Sequence, residues 1–204
     1  PAVLIDISKI AGLSGISQNG STITIGALTT HAAIESDATL AQVLPLMQQA
    51  ATHVGDPMVR NRGTFGGSLA HADPAAELPA GALALGAEIT AVGPRGTRVI
   101  TANDFYLGYM ATALEPDELV TEVRFQIPAS GAGWSVQEVA RRHGDFALVG
   151  AVALLGVDDG KVSSASVVSF GTGGRPLRSP EVEAVLVGSV PGPGPFGQAA
   201  EMVT

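Results

Sequence analysis

Three tight-turn signals, each beside strand-forming residues, constrain this chain more than any other feature. Gln18-Asn19-Gly20 precedes the alternating run Ser21-Thr22-Ile23-Thr24-Ile25-Gly26. Gly93-Pro94-Arg95-Gly96 separates residues 88–92 from 97–100, and Asp158-Asp159-Gly160 separates 147–157 from 162–170. Asn-Gly and Asp-Gly accept the positive φ of tight hairpins, and alternation of polar with apolar residues marks half-buried strands. Residues 3–7, 119–127 and 134–140 read as further strands, the second ended by Pro128. Antiparallel sheet interrupted by helices is therefore expected, an α+β fold.

The helices are read from apolar spacing and caps. Leu40, Val43, Leu44, Met47, Ala50, Ala51 and Val54 form one stripe, with Pro45 near its first turn. Thr29 or Thr30 caps a short helix toward Ser36. Asp73-Pro74 reads as an N-cap with proline at the first helical position, and Gly86 marks that helix's end. Residues 104–111 form a short helix or turn, and 180–187 a helix. Residues 191–195, Pro-Gly-Pro-Gly-Pro, read as a flexible connection before a last helical run. Ser130-Gly131-Ala132-Gly133 is the clearest linker, so domains are expected over residues 1–130 and 134–204.

Composition removes several function classes. Net charge is −8, so a uniformly basic face for nucleic acid is not expected. The absence of cysteine excludes disulfides, thiolate-ligated zinc, iron–sulfur ligation and a cysteinyl nucleophile within these residues. No apolar run reaches the roughly 18 residues of a membrane helix, and no signal peptide is visible. A cytoplasmic location is expected. The chain opens on Pro1 in a strand-like run, which raises the expectation that an N-terminal part is missing.

The segment from Arg60 to Pro79, RNRGTFGGSLAHADPAAELP, concentrates the candidate chemistry. Paired Gly66 and Gly67 allow positive φ, so successive backbone N–H groups can converge on phosphate oxygens, with Thr64 and Ser68 adding hydroxyls. An ordinary glycine turn is the alternative. The segment is neither a Walker loop nor a G-x-G-x-x-G fingerprint. Glu77 either accepts bonds from sugar hydroxyls or is a solvated charge in a first helical turn. His71 and Asp73 lack the further ligands a metal needs. Arg141-Arg142-His143-Gly144-Asp145-Phe146 is either a structural corner or a contact to cofactor phosphates or a partner. No nucleophile–base pair stands out, so any demanding chemistry falls to a cofactor.

Several ordered segments together resemble one family, the FAD-binding medium subunit of the molybdenum hydroxylases, of the carbon monoxide dehydrogenase and xanthine dehydrogenase type. They are Leu4-Ile5-Asp6-Ile7, residues 25–30 (IGALTT), 60–68 (RNRGTFGGS), 71–79 (HADPAAELP), 105–109, 114–120 and 141–149. The resemblance implies a PCMH-type FAD-binding domain with an antiparallel or mixed sheet and flanking helices. It implies a small C-terminal α+β domain with a three-stranded antiparallel sheet. Cofactor contacts would then come from Arg60, Asn61, Thr64, Phe65, Gly66, Gly67, Ser68, Ala72, Asp73 and Glu77. Val120 and Val54 would flank the flavin ring, and Gln137 stands where some relatives carry lysine. A second glycine-rich flavin motif is expected upstream of Leu4. The implied role is an oxidoreductase subunit with no catalytic residue of its own. Electrons would arrive from a molybdenum-cofactor large subunit through a [2Fe-2S] small subunit and leave to quinone, oxygen or NAD. The alternative is a non-catalytic fragment or accessory docking subunit with an incomplete FAD site.

Overall fold

The structure is a computed structural model describing residues 3–203. Pro1, Ala2 and Thr204, the outer ends of the first strand-like run and the last helical run, lie outside the described residues. In chain order the elements are β1 (Ile16–Asn19), β2 (Thr22–Gly26), α1 (His31–Ser36), α2 (Ala38–Val43), α3 (Pro45–His53), α4 (Pro57–Arg60), α5 (Phe65–His71), α6 (Glu77–Ala84), β3 (Glu88–Gly93), β4 (Gly96–Thr101), α7 (Ala102–Phe105), β5 (Tyr106–Gly108), β6 (Ala111–Thr112), β7 (Leu119–Gln126), β8 (Gly133–Val139), β9 (Val149–Asp158), β10 (Lys161–Phe170), β11 (Leu177–Arg178), α8 (Pro180–Leu186) and α9 (Pro193–Glu201).

The strands form one sheet in the order β1-β2-β7-β3-β4, a second in the order β11-β10-β9-β8, and a small β5-β6 ribbon. Their pairings are antiparallel. The hairpins β1–β2, β3–β4 and β9–β10 close at the three turn signals. The second sheet holds the three expected strands, and two-residue β11 extends it at one edge.

Four local readings change. Residues 3–7 are not a strand, and Val3, Leu4 and Ile5 are exposed, so their apolar character has no packed face among the described residues. The stripe from Leu40 to Val54 breaks into α2 and α3, because Leu44 leaves helical geometry (φ −145°, ψ 47°) and Pro45 restarts the helix at its first position. Asp73 does not cap a helix. Its Oδ1 accepts from the Ala75 N–H at 2.9 Å in a turn, and α6 begins later, after Ala76, without a side-chain cap. The Pro-Gly-Pro-Gly-Pro segment is helical from Pro193 onward.

Helix α6 explains how the layers join. Its sequence, ELPAGALA, is apolar nearly all round, and all 8 residues are buried. It packs between α3 and strands β9 and β10. Gly81 permits that approach, since a Cβ there would lie 3.0 Å from Met47 Sδ. One contiguous core runs from Ile23, Ile89 and Phe125 of the first sheet to Val136, Val152 and Phe170 of the second. The edge strand β8 is covered rather than left open. Gln49 of α3 donates through Nε2 to the Val136 carbonyl (3.3 Å) and accepts from the Val136 N–H through Oε1 (3.1 Å).

Candidate functional site

The glycine segment forms the start of helix α5. Thr64 is its N-cap, and Oγ1 accepts from the Gly67 N–H at 3.3 Å. The Phe65 N–H donates to the Thr29 carbonyl (2.9 Å), the Gly66 N–H to the Ala27 carbonyl (2.8 Å) and the Ser68 N–H to the Thr64 carbonyl (2.9 Å). Neither Gly66 nor Gly67 has positive φ. The expected nest of free amides is therefore replaced by a capped helix start whose first donors already have partners. The two glycines serve different ends. Gly66 is buried, and a Cβ there would lie 2.5 Å from Ala27 Cβ, so it lets the helix press against the strand end. Gly67 is exposed, and its amide makes the longest of these four bonds. Of these donors only that amide belongs to an exposed residue, and the hydroxyl-bearing Thr64 and Ser68 on either side of it are half-buried.

Neighbouring residues hold this corner in place. His31 is buried, and its Nε2 sits 3.0 Å from the Thr64 carbonyl. Burial pushes the imidazole below its ordinary value, partly countered by the Thr64 bond. The carbonyl can only accept, so Nε2 carries the proton and Nδ1 is a buried acceptor without a partner. Gly63 lies against it, since a Cβ there would come 2.8 Å from Nδ1. Arg60, expected at the cofactor, is a buried strut instead. Its Nε donates to Glu35 (2.7 Å) and its Nη1 to the carbonyls of Val54 (3.0 Å) and Gly55 (3.2 Å). Asn61 is exposed and donates to the Pro57 carbonyl at 2.6 Å, closing α4. Ala72 ends α5 in the left-handed region (φ 52°).

The hydrophobic candidates divide. Phe65 is fully buried, with its ring 6.0 Å from Phe125, so only its backbone faces the helix start. Val120 is buried on β7 and joins the main core. Val54 is half-buried at the C-cap of α3, where its carbonyl receives Arg60. Gln137 is exposed on β8, its Nε2 3.3 Å from Ser135 Oγ on the same face.

Glu77 opens α6 and is only 5 % exposed. Burial pushes its carboxyl up from the ordinary 4.5 to about 7. Its own backbone N–H works against that rise, while the negative charges of Glu138 and Asp73 add to it. Sequence reading missed Glu138. On β8 it shares the inward face with buried Val136, and its side chain is 5 % exposed. Its Oε1 lies 3.3 Å from His53 Nδ1, and its Oε2 is buried without a partner. Strand alternation starting from Val136 was the available signal. The Arg141–Phe146 turn is a docking corner: Gly144, at φ +85°, sits so close to Gly55 that a Cβ would fall 2.5 Å from the Gly55 carbonyl. Arg142 pairs with Asp145 at 3.2 Å on the surface. Among the described residues no group of three His, Asp or Glu could hold a metal, and no helix is long and apolar enough to cross a membrane.

Comparison with known proteins adds the following. A family model described as the FAD binding domain in molybdopterin dehydrogenase matches residues 1–130, and one described as the CO dehydrogenase flavoprotein C-terminal domain matches residues 134–204. The 6-hydroxypseudooxynicotine dehydrogenase complex subunit alpha of Paenarthrobacter nicotinovorans is 41% identical over 190 residues, covering 93% of this chain and 64% of that protein. The carbon monoxide dehydrogenase medium chain of Afipia carboxidovorans is 38% identical over 190 residues, covering 93% and 66%. Among solved structures, carbon monoxide dehydrogenase from Hydrogenophaga pseudoflava superposes with a TM-score of 0.93 at 36% identity, covering 96% of this chain and 68% of that one. Quinoline 2-oxidoreductase from Pseudomonas putida 86 gives 0.93 at 36% identity, covering 99% and 70%. The chain thus spans 64% of the length of the first of these curated relatives and 66% of the second.

Proposed function

Because the chain belongs to the family of FAD-binding domains of the molybdopterin dehydrogenases, we propose that it is the flavin-bearing part of an electron-relay subunit in a molybdenum hydroxylase. The observation that supports this most is the capped start of α5. It offers one exposed glycine amide and two hydroxyls, with no side chain on Gly67 to keep a phosphate away. Thr64, Gly67 and Ser68 would hold the pyrophosphate side of FAD, and Glu77 the sugar side. Bound there, FAD would supply exchange between one-electron and two-electron carriers.

A molybdenum-cofactor large subunit and a [2Fe-2S] small subunit are part of the proposal. The 204 residues contain no cysteine, so thiolate ligands for a cluster must come from another chain or segment. The acceptor would be quinone, oxygen or NAD, and the location cytoplasmic. A second reading, an accessory docking unit with an incomplete FAD site, draws on one observation: the first amides of α5 are already bonded within the protein.

Titration of the purified chain with FAD, followed by quenching of flavin fluorescence, separates the two. Saturable binding that Gly67→Val abolishes supports the first reading. Absence of saturable binding by the folded chain refutes it.

A further inference from the structure

The strongest unassigned feature is the outer face of the second sheet. Strand alternation sends Val136, Val152 and Val168 inward to the main core, and Ser135, Ala153 and Val167 outward. Outside, α8 lies over β10 and α9 against α8, and Val162, Val167, Val182, Leu186 and Ala199 form a separate apolar cluster. Strand β8 adds nothing to that cluster, and β9 adds only half-buried Leu155. Beside it runs an open groove of about 470 Å3. Gly133, Ser135, Ala151 and Ala153 line its sheet side, and Phe196, Ala200 and Val203 of the α9 region line its helix side. Trp134, 45% exposed, lines it too.

Charge and shape together say what fits this groove. The chain has a net charge of −8, so its copies repel one another over most of their surface. Among the described residues, none that lines the groove is charged, and Glu181, Glu183 and Glu201 of the two helices do not line it. Its one hydroxyl, on Ser135, already accepts from Gln137 Nε2 at 3.3 Å. Two acidic copies can therefore meet here without bringing carboxylates together. Knob and hollow also lie side by side. Phe196, Ala200 and Val203 recur at i, i+4 and i+7 and stay exposed, next to a strip of glycine and alanine. A two-fold axis sets the knob of each copy over the hollow of the other, which is what an isologous contact requires.

We propose that this groove is a self-association surface, in which α9 of a second copy lies over the strip of β8 and β9 and the contact is returned by symmetry. Phe196, Val203 and Trp134 leave water in the process, which supplies the driving force. The groove has 13 lining residues, against roughly 20–30 a side in a standard stable interface, so the dimer forms reversibly with concentration. The face is the one turned away from the core that the two sheets share, so the inference stands apart from the flavin reading.

Sedimentation equilibrium over about a hundredfold range of protein concentration tests it. The parent moves from monomer to dimer mass, and the emission of Trp134, the only tryptophan in the sequence, shifts to the blue in step. Ala200→Glu, at an exposed helical position, keeps the parent's circular dichroism and melting temperature and stays monomeric throughout. Thr97→Glu, on the exposed strand β4, adds the same charge elsewhere and leaves the dimer's dissociation constant within about twofold. Equal weakening by both variants assigns the effect to net charge and overturns the proposal. A parent that stays monomeric overturns it, and so does a dimer that Ala200→Glu leaves intact. A monomeric parent whose Trp134 emission shifts on adding Nile red, a neutral apolar dye, overturns the second copy and gives the groove to a small ligand.

Discussion

Replacing Glu77 with glutamine should stabilise the protein, and only above mildly acidic pH. The carboxyl is 5 % exposed and titrates at about 7 in the fold. Its ordinary value is 4.5, so roughly 2.5 pH units separate folded from unfolded. A raised acid gives its full contribution below the unfolded value and loses it as pH rises through the folded one. At about 1.4 kcal/mol per pH unit, ionised Glu77 costs the fold about 3 kcal/mol by pH ~8, about 2 at pH ~6 and almost nothing at pH ~4. Glutamine is an uncharged near-isostere and carries none of that cost. The difference in unfolding free energy between Glu77→Gln and the parent should therefore grow from near zero to about 3 kcal/mol across this range. Urea unfolding at a series of pH values, with equal slopes for the two proteins, gives the comparison directly. A flat difference would mean that Glu77 ionises as if in water, and the argument from its burial would fail.

Gly67→Val should abolish FAD binding while leaving the fold intact. The added Cβ would meet Thr64 Oγ1 at 2.7 Å and cost about 1 kcal/mol through the lost cap, offset in part by removing a helical glycine. Gly66→Ala should instead destabilise by about 1–3 kcal/mol in thermal melts, because its Cβ would come within 2.5 Å of Ala27 Cβ. Gly144→Ala, strained at φ +85° and pressed on the Gly55 carbonyl, should unlatch the corner. Faster hydrogen exchange at the Leu148 N–H, which donates to Val139, would report it. Arg98 holds the Glu118 carboxyl down to about 2 through paired bonds of 2.8 and 2.7 Å, so Arg98→Ala should return it toward 4.5 by NMR titration. A lowered acid contributes stability above its unfolded value and loses it as pH falls. The variant should therefore lose that part of the parent's acid-side stability change.

The hairpins were legible because turn chemistry is local: Asn19-Gly20, Gly93–Gly96 and Asp159-Gly160 each close on neighbours in the sequence. The order β1-β2-β7-β3-β4 was not, because β7 enters between β2 and β3 from far along the chain. Nor was the break at Leu44, where a continuous apolar stripe hides two helices that bury different parts of it. Residues 3–7 show the opposite error. Strand-forming composition says nothing about whether a face is present to be covered.

The candidate site divides along the same line. Glycine in a polar segment signals close approach, and both glycines are indeed places where a side chain would collide. Which neighbour is approached is a tertiary fact: for Gly66 it is Ala27, inside the protein, and only Gly67 faces outward. Arg60 looked like an anion ligand by charge, yet a guanidinium with five donors serves equally to tie Glu35 to two loop carbonyls. Glu77 drew notice by its place after a proline-framed turn, but the reason for its unusual titration lies in the apolar character of the helix it begins. A helix buried on every side has no solvated face to give its one acid. Glu138 then follows from parity alone: two residues beyond buried Val136 on a strand, it must point where Val136 points, into the interior.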